Sequence, residues 1–236
     1  MKKKKVLFII PAYNEEENIL NTYNQIKNKK RDNWDVIVIN DGSKDGTEEV
    51  LRNNNIPHIQ LIQNLGIGGA VQTGYKYAYY NDYDVAVQFD GDGQHDVDYA
   101  DNIINPVIED ECDMCIGSRF VKKDKSGFKS TAARRMGIKL ISFEIKLFTG
   151  KRIKDTTSGF RAVNKELIEL FSNNYPTEYP EPVSEVSILR RKYRIKEEQV
   201  VMKERQGGKS SIHAWKNVYY MINVSISMFI ERLKRY

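Results

Sequence analysis

DVAVQFDGDGQH, residues 84–95, decides the fold class, because a mostly apolar run there breaks into carboxylates and glycines. Asp84–Asp90 has the length and composition of a strand buried on both faces. Asp90 and Asp92 stand two apart at its end, and on an extended chain such side chains point the same way. Two carboxylates that close repel each other unless a cation lies between them. Oxygen donors alone suit Mg²⁺ or Mn²⁺, which usually also hold substrate phosphates. Gln94 adds an amide oxygen and His95 a supporting group, which makes Asp90, Asp92 and Gln94 the candidate metal ligands. An acidic turn without a ligand is the plainer alternative.

Outward from this stretch the pattern repeats. Val6–Ile10, Val36–Asn40, Ile59–Gln63 and Met114–Gly117 are further short apolar runs. Helical stretches separate them: Asn14 precedes one that reaches Lys27, with Glu15, Glu16 and Glu17 in its first turn, favouring the positive end of the dipole. Asp41-Gly-Ser-Lys-Asp-Gly-Thr leads into a second, and a third covers Ala70–Tyr80. Strand–helix alternation at this spacing predicts an α/β fold, a Rossmann-like, mostly parallel sheet with helices on both faces. Ligands bind such sheets at the carboxyl ends of the strands. The polar clusters fall at those ends: Pro11–Glu15, Asp41–Ser43, Asn64–Gly69 and Asp90–His95.

The second half reads differently. Ala132–Phe148 is helical, with Arg134, Arg135, Lys139, Lys146, Lys151 and Arg152 in or near it; Gln199–Met202 reads as a late strand and Ile212–Tyr236 as a terminal helix. No linker or repeat splits the chain, so residues 1–211 are expected to form one domain and 212–236 an appended amphipathic helix.

Several stretches admit two readings. Asn64-Leu-Gly-Ile-Gly-Gly-Ala lets a backbone approach a phosphate at a helix N-terminus, or is simply a tight strand-to-helix turn. Arg205-Gln-Gly-Gly-Lys-Ser-Ser can grip phosphate oxygens with a guanidinium fork and an ammonium point charge, or is a solvated loop. Cys112 and Cys115 lack the further ligands of a structural zinc site. Three apart on a strand they would face opposite sides, and core or strand cysteines are the expectation. Asp155-Thr-Thr-Ser-Gly-Phe-Arg161 is a polar loop that residue chemistry alone does not decode.

Composition narrows the function classes. At 236 residues, 40% hydrophobic and 29% charged, the chain is neither disordered nor fibrous. A net charge of +5 permits an anionic partner, but no nucleic-acid recognition motif is present. Two cysteines build no disulfide framework and point to a reducing compartment. Lys2–Lys5 precede only five apolar residues and Pro11, too short for a secretory signal. The uncharged stretch Val218–Ile230 covers 13 residues, where a membrane span needs about 20.

Seven stretches, in order, resemble the family 2 glycosyltransferases of GT-A fold, and within them the polyprenyl-phosphate (dolichol-phosphate-type) mannosyl- and glucosyltransferases. They are Ile10-Pro-Ala-Tyr-Asn-Glu15, Asn40-Asp-Gly-Ser-Lys-Asp-Gly-Thr47, Asn64-Leu-Gly-Ile-Gly-Gly69, Asp90-Gly-Asp-Gly-Gln-His95, Gly117-Ser-Arg119, Asp155-Thr-Thr-Ser-Gly-Phe-Arg161 and Arg205-x-x-Gly-x-Ser210. The resemblance implies that Pro11, Tyr13, Glu15, Asp41 and Gly68 line the nucleotide, with Asp90 at its diphosphate. It makes Asp92, Arg119 and Arg205 the catalytic candidates, and Asp90, Asp92 and Gln94 the holders of Mg²⁺ or Mn²⁺. Arg134, Arg135, Ser158, Lys209 and Ser210 become candidates for binding the acceptor phosphate. YPTEYPEPVSEV, residues 175–186, departs from the subgroup's usual text, and Ser211 stands where a lysine often follows the Gly-x-Ser serine.

The reaction so implied is inverting, metal-dependent sugar transfer from a UDP- or GDP-linked sugar to a polyprenyl phosphate. A phosphate acceptor, mostly a dianion near pH 7, needs cations more than a base; a hydroxyl acceptor on a growing polysaccharide needs a carboxylate base, with Glu178, Glu181 and Glu185 the candidates. A non-catalytic nucleotide-sugar-binding protein is the remaining alternative. In the terminal helix Trp215, Val218, Tyr219, Ile222, Ile226, Phe229, Ile230 and Leu233 share a face opposite Lys216, Asn223, Ser227, Glu231 and Lys234. That face suits a membrane interface, a small integral membrane partner, or packing on the protein body. The expected location is cytoplasmic, peripheral to the inner face of the membrane.

Overall fold

β1 (Val6–Ala12) buries all seven of its side chains, because strands flank it on both sides and helices cover it above and below. The computed structural model describes residues 3–29, 31–121, 132–202 and 214–236, with backbone alone at 132–134 and 214–219. After β1 come α1 (Ile19–Lys27), β2 (Trp34–Asn40), α2 (Thr47–Asn53), β3 (His58–Gln60), α3 (Gly66–Tyr80) and β4 (Val85–Gln88). A 3-10 turn at Val97–Tyr99 leads into α4 (Ala100–Ile108), β5 (Met114–Ser118), α5 (Ala132–Thr149) and β6 (Arg161–Asn164). α6 (Lys165–Asn173), α7 (Pro180–Arg190), β7 (Ile195–Gln199) and α8 (Ala214–Leu233) are the last elements among the described residues.

The strands form one sheet in the order β3-β2-β1-β4-β6-β5-β7. Among the described strands only β6 runs against its neighbours, pairing antiparallel with β4 and β5. The period of two along each strand divides the apolar residues between two cores. Leu7, Ile9, Ile37 and Ile39 face a cluster filled by α3, α5, α6, α7 and α8. Val6, Phe8, Ile10, Val36 and Val38 face one filled by α1, α2 and α4. α3 lies so close on β1 that a Cβ at Gly74 would sit 2.2 Å from Ile9 Cγ2.

The expected α/β class and the mostly parallel sheet are present, and the corrections are local. α1 begins at Ile19, so no acidic residue occupies its first turn. Asn14 takes a left-handed φ of 56°, and Glu15 then starts a turn whose carbonyl accepts from Asn18 and Ile19 N–H. α3 begins at Gly66, taking into the helix three glycines read as lying before it. The late strand is Ile195–Gln199 rather than 199–202; its IKEEQ text has the polar character of an edge strand. Cys112 precedes β5, so strand alternation does not separate it from Cys115. Both thiols are buried and free, and they are hydrogen-bonded to each other.

α8 is neither wholly interfacial nor wholly packed. Val224 and Met228 are fully buried in the first cluster, a stripe that the sequence pattern alone does not separate. Glu231, expected on the polar outer face, is buried beside Lys234 and Tyr236. Ile222, Ile226, Phe229, Ile230 and Leu233 remain exposed. No helix among the described residues is long and apolar enough to cross a membrane.

Candidate active site

Two loops that are separate in sequence form one structure at the carboxyl ends of β1 and β2. Asn14 N–H donates to Ser43 Oγ at 2.9 Å, and Lys44 N–H donates back to Asn14 Oδ1 at 2.8 Å. Glu15 N–H donates to Thr47 Oγ1 at 2.9 Å, and Glu16 accepts from Gly46 N–H at 2.7 Å. The glutamates expected to serve the dipole of α1 therefore tie the two loops together. Asp41 is buried, donates its N–H to Ala12 carbonyl and accepts from Leu65 N–H at 2.7 Å, joining β1, β2 and the start of α3. Burial pushes its carboxyl above the usual range despite the Leu65 and Gly66 amides.

The Asp90–His95 loop closes against the same corner. A Cβ on Gly91 would lie 3.0 Å from Pro11 carbonyl oxygen and 3.8 Å from Glu15 Cγ, so the loop sits directly on the first motif. Thr22 Oγ1 donates to Gly91 carbonyl at 3.2 Å. The sheet thus gathers Pro11, Tyr13, Glu15, Asp41, Asp90 and Asp92 at neighbouring strand ends, as the sequence predicted. Tyr13 is exposed and Glu15 is largely buried, accepting from Asn18 Nδ2 at 2.8 Å.

Asp90 is held from several sides. His95 Nε2 lies 3.0 Å from Asp90 Oδ2 and Gln88 Nε2 lies 3.5 Å from Oδ1. The imidazole is itself buried, stacked at 27° on Phe160 and edge-on to Phe89. Burial pushes the Asp90 carboxyl up, but His95 and Gln88 outweigh it and hold the carboxyl below its ordinary value. Gly159 packs on the same side chain, with room for no Cβ, 2.5 Å from Asp90 Oδ2. Asp92 accepts from Gln94 N–H at 3.1 Å.

Among the described residues no group of three or more His, Cys, Asp and Glu side chains is placed to hold a metal ion. Asp90 and Asp92 nevertheless fit a hard divalent cation by donor type. Mg²⁺ in particular is commonly held by one or two carboxylates with substrate phosphates supplying further oxygens, rather than by an all-protein cage.

Several residues read as facing phosphate have other partners. Arg119 forms a bidentate pair with the fully buried Asp155, Nε to Oδ2 at 2.8 Å and Nη2 to Oδ1 at 2.6 Å, and reaches Thr157 at 2.8 Å. Its side chain is only 8% exposed. The guanidinium fork that suits phosphate suits a carboxylate equally, and Asp155 occupies it. Arg119→Ala should accordingly cost roughly 3 kcal/mol of unfolding free energy by stranding a buried carboxylate. Unchanged denaturant unfolding together with lost turnover would return Arg119 to the phosphates.

Ser158, expected at the acceptor, is fully buried and donates to Gly117 carbonyl at 2.7 Å. A Cβ at Gly68 would lie 2.2 Å from Pro176 and 2.4 Å from Thr177 carbonyl oxygens, so the glycine there serves a close backbone approach within the protein. Gly68→Ala should cost about 1–3 kcal/mol in thermal or chemical unfolding, as overpacking does; wild-type stability would mean the 176–177 backbone yields freely. Arg135 is exposed on α5. The Arg134 side chain, Arg205, Lys209 and Ser210 lie outside the described residues.

The sequence left the role of Arg161 undecoded. It is 1% exposed, on the antiparallel β6, beneath the site. Nε donates to Ser158 carbonyl at 2.7 Å, Nη1 to Glu181 carbonyl and Ser184 Oγ, and Nη2 to Glu185 Oε1 at 2.7 Å. One guanidinium therefore joins the 155–160 loop to the N-terminal turn of α7. Glu185 is fully buried in this pair, where burial pushes its carboxyl up and the charge of Arg161 pulls it back down. Glu181 keeps partial exposure and meets Gln88, the amide that also reaches Asp90. Burial, opposed by Arg161 and reinforced by the charge of Asp90, raises the Glu181 carboxyl. Gln88, a buried amide in an otherwise apolar strand, was the signal that could have marked this junction.

Known proteins resemble this chain in sequence and in fold. The model of Glycosyl transferase family 2 matches residues 7–171. The UDP-N-acetylglucosamine–dolichyl-phosphate N-acetylglucosaminyltransferase of Methanococcus voltae is 34% identical over 212 residues, covering 83% of each chain. The dolichol-phosphate mannosyltransferase of Pyrococcus furiosus is 33% identical over 177 residues, 70% of this chain and 47% of that protein. Among solved structures, glucosyl-3-phosphoglycerate synthase from Mycobacterium tuberculosis, in complex with Mn²⁺, uridine diphosphate and glucosyl-3-phosphoglycerate, superposes with a TM-score of 0.71. It shares 16% identity and covers 97% of this chain and 80% of that one, a likeness of fold. With a family model that spans most of the sheet and a relative this similar over most of both lengths, the chain belongs to glycosyl transferase family 2.

Proposed function

We propose that this protein transfers a sugar, with inversion, from a nucleoside diphosphate sugar, UDP- or GDP-linked, to a polyprenyl phosphate. Residues 1–211 carry the chemistry in this reading. The observation that carries it is the single corner formed by the Pro11–Glu15, Asp41–Ser43 and Asp90–His95 loops, with relatives named for transfer to dolichyl and undecaprenyl phosphates. The buried Asp41 and Glu15 fix the loops that take the base and ribose, while Tyr13 is exposed to meet them. Asp90 and Asp92 would hold Mg²⁺ or Mn²⁺, which neutralises the leaving diphosphate when bound. His95 and Gln88 keep Asp90 ionised and oriented for that role. The two unbridged cysteines fit a reducing compartment, so the reading puts the enzyme at the cytoplasmic face of a membrane, on the surface or beside a small integral membrane protein.

One observation favours a hydroxyl acceptor instead. Glu181 lies beside Gln88 and near Asp90, with its affinity for a proton raised, as a general base requires. Glu185 is excluded from that role by full burial against Arg161. Membranes incubated with a panel of radiolabelled nucleotide sugars should give a mild-acid-labile labelled lipid, lost in excess chelator. No labelled lipid from any donor would overturn the proposal. Glu181→Gln should barely slow transfer to a phosphate acceptor, already a nucleophile, and should disable transfer to a hydroxyl.

A further inference from the structure

We propose that Gly159 and Phe160 are positioning residues for Asp90, which gives the Asp155–Arg161 loop its part in the reaction. The inference rests on the proposed function, in which Asp90 helps to hold a divalent cation. A Cβ on Gly159 would lie 2.5 Å from Asp90 Oδ2, 2.6 Å from Oδ1 and 2.9 Å from Cγ. Near-equal distances to both oxygens, with the carbon farther off, put that Cβ end-on to the carboxylate. Only the hydrogen of a glycine leaves Asp90 where it stands. The backbone on either side is pinned. Ser158 Oγ donates to Gly117 carbonyl at 2.7 Å, and Ser158 carbonyl accepts from Arg161 Nε at 2.7 Å. Phe160 carbonyl accepts from Gly117 N–H at 2.8 Å. At the start of the loop Asp155 N–H donates to Glu197 Oε1 at 2.9 Å while its carboxylate holds the Arg119 fork. The Asp90 side chain, by contrast, is 34% exposed and has room to swing. A methyl at position 159 would therefore turn the carboxylate rather than move the loop.

Phe160 acts through His95, whose Nε2 meets Asp90 Oδ2 at 3.0 Å. The orientation of a functional imidazole is commonly set by a hydrogen bond at its other nitrogen. Here Nδ1 is buried and has no hydrogen-bond partner among the described residues. Ring packing takes the place of that bond. The imidazole stacks on Phe160 with centroids 5.1 Å apart, and Phe89 closes on it edge-on at 5.4 Å. Phe89 and Phe160 in turn meet edge to face, with centroids 5.2 Å apart. Two successive residues of one loop thus fix one carboxylate: Gly159 bounds it end-on, and Phe160 aims the imidazole at Oδ2. Groups that orient a metal's ligands shape its affinity nearly as much as the ligands themselves.

Uptake of Mn²⁺ by the full chain tests this, with UDP or GDP present and the free-ion electron paramagnetic resonance signal as readout. Gly159→Ala should weaken uptake about ten-fold or more, the scale of loss when the support of a metal ligand is altered. Its metal-free unfolding midpoint should stay near the parent's, unlike that of Gly68→Ala, where the added methyl meets backbone. Phe160→Leu keeps the place apolar but removes the stacked ring, and should weaken uptake by a smaller factor. Thr157→Ala, in the same loop but turned to Arg119, should leave uptake as it is. A Gly159→Ala protein that unfolds as early as Gly68→Ala would overturn the proposal. Equal loss of uptake in Thr157→Ala would make the loop a general support and overturn it too. Gly159→Ala and Phe160→Leu proteins that match a parent able to take up Mn²⁺ would sink the positioning role alone. A parent that takes up Mn²⁺ but labels no lipid phosphate would sink the proposed acceptor alone. A parent that takes up none with either nucleotide would remove the metal, and this proposal with it.

Discussion

Replacing Asp92 with asparagine should abolish turnover while leaving the unfolding transition where it is. The side chain is partly exposed and accepts from the Gln94 amide within its own loop, a bond that an asparagine oxygen can keep. What the substitution removes is negative charge at the place where the proposed function puts the diphosphate and a divalent cation. Stabilising the leaving diphosphate is worth several kcal/mol at the transition state, so a loss of a thousand-fold or more in kcat is expected. Asp90→Asn would be a poorer probe, because it also disturbs His95 and Gln88. Chelation should reproduce the Asp92→Asn phenotype in the parent, and added Mg²⁺ or Mn²⁺ should reverse it. Full activity in excess chelator would remove the metal from the mechanism.

Arg161→Ala should destabilise the fold more than Arg119→Ala or Gly68→Ala. It would leave Glu185 buried without its counter-charge and strip donors from the Ser158 and Glu181 carbonyls together. Removing one partner of a buried ion pair costs about 3–5 kcal/mol, and a protein of this size has only about 5–15 kcal/mol in all. Arg161→Lys should recover part of the loss, since one ammonium cannot span acceptors on both sides as the fork does. Glu185→Gln should cost less, because an amide oxygen can still receive the guanidinium. Denaturant unfolding of the three variants gives the order, and an Arg161→Ala protein as stable as the parent would show that the pair is dispensable.

These two residues also mark what the sequence made legible. Asp92 could be placed at a strand end because its signal is local: a carboxylate two from another, after an apolar strand, with glycines around it. The loop motifs at the ends of β1 and β2 were legible for the same reason. Arg161 was opaque because its partners on α7 lie 20 to 24 residues away in a segment of unfamiliar text. Arg119 stayed ambiguous because an arginine near a strand end has the same chemistry for a phosphate and for Asp155, 36 residues on. Only the fold decides which arrives. β6 escaped because four residues after a polar loop carry too little periodicity, and β7 because an edge strand with charges on it does not look apolar. α8 was half legible: its exposed stripe shows in the sequence, whereas the burial of Val224 and Met228 depends on α5 and α7 being there to receive them.

The buried thiols carry a practical consequence. The chain has two cysteines, and Cys112 and Cys115 are 2% and 0% exposed, with Cys115 held far above the ordinary thiol range by the Cys112 thiol and by burial. The Cys115 thiol pulls Cys112 below the ordinary range, but burial keeps both from a maleimide or a methanethiosulfonate under native conditions. A single cysteine introduced at Leu147 or Ile226 would then be the one reactive thiol in an otherwise unaltered protein. A nitroxide or environment-sensitive fluorophore attached there would report depth in a bilayer position by position, without first engineering a cysteine-free background.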